Sequence, residues 1–161
     1  MTAAEKLVLS GGDVFPVAAD FLNRGQKVIF TVSGNSMWPL IRHNRDSVLL
    51  SALDRPARAG DIVLMKVPAP HNLYILHRIH RIREDYCVTL GDGCLKPDPP
   101  VPLTCIIGRV EKVYRGKRTI DCDSLPSRFL FWLWRAFLPV RRPLLHGFRM
   151  AGRVMARLRR R

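Results

Sequence analysis

Residues 73–90 read LYILHRIHRIREDYCVTL, two runs rich in β-branched and aromatic side chains that are interrupted at Glu84-Asp85. The pattern predicts a hairpin, residues 73–83 against 86–90. Strand alternation sets Leu73, Ile75, His77 and Ile79 on one face, and Tyr74, Leu76, Arg78 and His80 on the other. Further strands are read outward from this hairpin, at 27–32 (KVIFTV), 47–51, 61–67 (DIVLMKV), 106–114 and 118–120. Residues 91–102 are rich in Gly and Pro and read as irregular. The one helix of the body is predicted at 13–23, where Val14, Ala18, Phe21 and Leu22 recur near helical spacing and Asn23-Arg24-Gly25 can end it. Short strands, tight turns and little helix predict a mostly β fold: a curled antiparallel sheet or partly open barrel.

The chain has 161 residues, 47% of them hydrophobic and 25% charged, a balance that argues against wholesale disorder. Its formal net charge of +14 is unevenly placed, because residues 124–161 hold ten arginines and no acid. Two parts are expected: a β body over 1–123, with its motifs at about 26–114, and a basic helical tail over 124–161. Cys87, Cys94, Cys105 and Cys122 form no CxxC pair and no matching histidine spacing, so no metal or other cofactor is expected. No stretch approaches the length of a membrane span, and the N-terminus has no charged region followed by a long apolar one, so no cleavable signal peptide is read.

Three segments could carry chemistry. Gly34-Asn35-Ser36-Met37-Trp38-Pro39 follows a strand, and a serine nucleophile needs its hydroxyl on a tight turn with backbone N–H groups free to receive an oxyanion. Taken alone it reads first as a surface turn, since Ser and Gly are common there. His77 lies among aliphatic side chains, which favours the neutral ring, and a neutral imidazole can take a proton from a hydroxyl. A core histidine satisfied by a carbonyl is the plainer alternative. Asp92, within Gly91-Asp92-Gly93, and Asp98 are the acids that could hold the far nitrogen of that ring. The alternatives are a type I′ turn at Asp92-Gly93 and a solvent-facing Asp98.

Together, and in this order, these segments resemble the signal peptidase I superfamily, whose wider relatives include self-cleaving SOS-type repressors. Gly34–Pro39 resembles its nucleophile box G-x-S-M-x-P, and Gly60-Asp61-Ile62-Val63 the GDIV strand that follows. Ile75-Leu76-His77-Arg78-Ile79 stands where bacterial leader peptidases carry a lysine, as in the endoplasmic-reticulum and archaeal type. Leu90-Gly91-Asp92-Gly93 with Asp98 is similar to the G-D-N box and its second aspartate, and Ile107-Gly108-Arg109-Val110 to the closing I-G-x-V strand. The resemblance implies a Ser-His-Asp peptidase: Ser36 as nucleophile, His77 as base, Asp98 as orienting acid and Asp92 as loop support. The oxyanion turn would comprise Gly34, Asn35 and Ser36. The sequence departs from the pattern at Gly93, where asparagine is usual, and at Leu40, where bacterial members often have threonine, and no N-terminal membrane anchor like the family's is read in it.

In the tail, the run 129–134 (FLFWLW) is apolar all round. Beyond Pro143, Leu144, Phe148, Ala151, Met155 and Leu158 recur at helical spacing beside an Arg149/Arg153/Arg157 stripe. Such a segment suits an anionic membrane interface, and packing of the tail on the β body is an equal alternative. Nucleic acid is the weaker partner, because no recognition fold accompanies the arginines. The expected function is a serine endopeptidase acting on an extended precursor or leader segment at a membrane surface. Peripheral attachment is expected, with the cytoplasmic face favoured by the arginine excess. The alternative function is an inactive or regulatory binding module of the same fold. The oligomeric state is not legible.

Overall fold

Burial alternates along residues 62–65: Ile62 and Leu64 belong to one apolar cluster, Val63 and Met65 to another. A period of two with both faces covered places this run in the middle of a sheet. The computed structural model describes residues 5–6, 14–68 and 73–137, with single positions at 143 and 147. Among the described residues the order is β1 (Glu5–Lys6), α1 (Val14–Asn23), β2 (Val28–Thr31), β3 (Asp46–Ser51), β4 (Ile62–Lys66), β5 (Tyr74–Ile82) and β6 (Tyr86–Leu90). After these come β7 (Val101–Pro102), β8 (Ile106–Arg115), β9 (Arg118–Asp121) and α2 (Leu125–Ala136). The expected hairpin is β5–β6, and each longer strand lies within a residue or so of its predicted bounds. Residues 91–102 are irregular except at β7, which pairs with Tyr86 and Cys87.

The strands form one sheet in the order β1-β2-β3-β8-β4-β5-β6-β7, with β9 pairing the far half of β8. Every pair is antiparallel except β1–β2. The fold is thus mostly β, a curled half-barrel. Register shifts at Leu49/Leu50, Leu64/Met65 and Ile79/Arg81 supply the local bends that curl it. α1 closes one side: Ala18 and Leu22 join Val28, Phe30, Val48, Leu50 and Leu64, and Phe15 meets the Phe30 ring edge-on at 5.6 Å. The second cluster joins Val63, Met65 and Ile79 to Cys87, Val101 and Ile106.

α2 starts where the tail was expected, but its apolar run is two-faced. Ser127, Phe131 and Trp134 are buried, whereas Leu125, Phe129, Leu130 and Trp132 are exposed. Arg135 donates to the carbonyl of His80, and Trp134 Nε1 to that of Asp92. This part of the tail therefore packs on the β body. The Arg149/Arg153/Arg157 stripe and its apolar partners lie outside the described residues. Among the described residues no helix is long and apolar enough to cross a membrane.

Candidate active site

The first segment is set by its apolar neighbours. β2 ends at Thr31, and the chain turns at Gly34, whose φ of +102° is a conformation that suits glycine. Three residues later Met37 drops into the core at 1% exposure, and Ile41 follows it. With Met37 pinned, Ser36 is held half-buried at the crest of the turn. The Trp38–Pro39 peptide is cis.

The second segment lies on β5. His77 pairs in register with Val63 of β4 and shares its face with Ile75 and Ile79, as alternation predicts. It is 8% exposed. Its Nδ1 lies 2.6 Å from Asp98 Oδ2, so the aspartate fixes the ring and the Nε2 edge faces away from it. Thr89 is the residue that sequence reasoning missed. Its hydroxyl donates to the same Asp98 oxygen at 2.6 Å, and the Asp98 N–H donates to its carbonyl at 2.8 Å. The loop after β6 is thereby tied back to its own strand with Asp98 at the Nδ1 edge of the imidazole. Burial by itself would raise the Asp98 pKa, but the bonds from His77 and Thr89 outweigh it and hold the carboxyl below its usual range.

Asp92 has a different place. It forms a two-pronged ion pair with Arg78, Nε to Oδ1 at 2.9 Å and Nη2 to Oδ2 at 2.7 Å, both side chains almost wholly buried. The third Arg78 nitrogen, Nη1, donates to the Gly60 carbonyl, and the guanidinium lies 4.0 Å from the Phe131 ring centroid. Asp92 thus supports the loop, and Asp98 orients the histidine. Neither Asp92 nor Gly93 has a positive φ, so the type I′ turn weighed above does not form.

The register that sets Arg78 opposite Leu90 carries Gly91 up to His77. A Cβ on Gly91 would lie 2.5 Å from the Ser36 carbonyl oxygen, 2.8 Å from Cys94 Sγ and 3.0 Å from His77 Nε2. Ser36, His77 and Cys94 therefore converge on one point that only glycine leaves open. At Gly93 a Cβ would come within 2.7 Å of the carbonyl oxygens of Asn35 and Trp38, while the Gly93 N–H donates to the Ser36 carbonyl at 2.7 Å. A side chain at position 93 would not fit this backbone approach.

Ser36 and His77 are brought together at Gly91 without a hydrogen bond between their side chains. Gly34 does not offer its N–H to an oxyanion, because it donates to His43 Nδ1 at 2.9 Å. Lys66, the lysine of the GDIV strand, is exposed and points its ammonium over the Tyr74 ring. No cluster of three metal-ligating side chains occurs among the described residues. No protein-family model matches the chain, and no curated protein matches it.

Proposed function

We propose that this chain is a serine endopeptidase of signal-peptidase-like kind, working at the surface of an anionic membrane. The observation that carries the reading is the His77–Asp98 bond with its ring set beside the Ser36 turn at Gly91. Ser36 Oγ attacks the carbonyl carbon of an extended peptide while its proton passes to His77 Nε2. Asp98 stabilises the resulting imidazolium through Nδ1. The same Nε2 proton then goes to the leaving amine, the C–N bond breaks, and an acyl-enzyme on Ser36 remains. Water, giving its proton to His77, hydrolyses that ester. With the Gly34 N–H engaged, the oxyanion falls to the N–H of Ser36 itself. The membrane part of the reading rests on the exposed apolar face of α2 and the arginine excess of residues 124–161.

The test is cleavage of a small-residue reporter peptide by the full chain. Ser36→Ala should abolish turnover and leave the circular dichroism spectrum unchanged. His77→Ala should cost as much, because members of such a set act as a unit. Full activity in a folded Ser36→Ala protein would remove Ser36 as nucleophile and return the chain to the binding-module reading.

A further inference from the structure

Where α2 packs against the turn before β4, a cleft of about 160 Å³ remains, the room of roughly five waters. Its walls carry four arginines, Arg55, Arg58, Arg128 and Arg135, with Trp132 beside them. The two acids in the wall are already engaged. Asp61 is held by both terminal nitrogens of Arg55, and Asp123 is shared between Arg55 and Arg109 at 2.9 and 2.8 Å. Arg58 and Arg128 form no ion pair among the described residues. Among the described residues Arg135 donates to the His80 carbonyl alone, and its Nε is buried with no hydrogen-bond partner. Burial, with Arg78 close by, lowers its pKa. Among the described residues, three guanidiniums around one cleft thus lack a carboxylate.

Guanidiniums suit the oxygens of a tetrahedral phosphate, which they can meet in pairs. We infer that the cleft between α2 and residues 55–61 is a phosphate-binding site. Two sources share that chemistry, an anionic phospholipid headgroup and inorganic phosphate. The headgroup is the better match on this surface, since Trp132 belongs both to the cleft and to the exposed apolar face of α2. That source rests on the membrane reading above; the phosphate site itself does not, and neither depends on the peptidase chemistry.

The test compares the full chain with Arg58→Gln/Arg128→Gln, two exposed positions, and with Arg81→Gln/Arg83→Gln, which removes the same charge from exposed positions at the end of β5 and just after it. Binding is measured to vesicles of phosphatidylglycerol and phosphatidylcholine in equal parts. Melting temperature is measured with and without millimolar inorganic phosphate. A headgroup site predicts vesicle binding about tenfold weaker in the cleft variant than in the control variant. A site for free phosphate predicts a phosphate-induced rise in Tm that is larger in wild type than in the cleft variant. Any general salting effect is common to both and cancels. Equal loss of vesicle binding in the two variants, with equal Tm shifts in all three proteins, would overturn the site. If wild type binds no vesicles, the membrane reading fails and the Tm comparison alone decides the phosphate site.

Discussion

Asp98 shows how one carboxylate serves both geometry and charge. Its Oδ2 accepts from His77 and from Thr89, each at 2.6 Å, and this outweighs the penalty of its burial. A carboxyl whose folded pKa lies below its unfolded value contributes stability above the unfolded value and loses it as pH falls through the folded one. Asp98→Asn should therefore be less stable than wild type at pH 7. The gap should close as pH drops below the usual carboxylate value of 3.8, as followed by urea denaturation. On the peptidase reading the same variant keeps the ring near its place but loses the partner of the imidazolium. Its kcat/KM should fall on the order of 10³–10⁴-fold. An asparagine variant with wild-type turnover would take Asp98 out of the reaction. His77 and Asp98 could be named from the sequence because their boxes are local. Thr89 could not, since a threonine inside a strand looks the same whether or not it faces an acid.

At the scale of elements, α2 joins the site to the surface. Its inner face lays Phe131 on the Arg78 guanidinium and sends Trp134 Nε1 to the carbonyl of Asp92 at 3.2 Å. Asp92 in turn sits between Gly91 and Gly93, the two residues that press on the Ser36 turn. Trp134→Ala should thus do more than loosen a tail. Truncating a buried aromatic costs about 3–5 kcal/mol, and it would free the Asp92 loop. Thermal melting should show the loss of stability, and hydrogen exchange should show faster exchange of the Gly93 amide. If exchange there is unchanged while the helix itself frays, α2 does not support the loop. Helical periodicity in the FLFWLW run does not separate the two faces, since every position is apolar. Only the surface against which it packs distinguishes Phe131 from Phe129.

For the molecule as a whole, charge and apolar surface point the same way. Residues 124–161 carry +10 of the net +14, and α2 within them exposes Phe129 at 63% and Trp132 at 60%. Each arginine near an anionic surface is worth about 1 kcal/mol, and that part is screened by salt. Binding of the full chain to the vesicles described above should fall steeply with rising salt and level off above zero, the remainder being the buried aromatic surface. A fall to nothing at high salt would leave the arginines as the whole attraction and remove the apolar face from the interface. By itself the sequence determined the longer strands, the β5–β6 hairpin and the helix α1, because these depend on side-chain period and turn chemistry within a few residues. The tertiary structure alone decided the pairing of Asp92 with Arg78, the need for glycine at 91 and 93, and the docking of α2. Each of these depends on the distance between chain segments that no local pattern encodes: Asp92 is 14 residues from Arg78 and 42 from Trp134, and it meets both only once the sheet has curled.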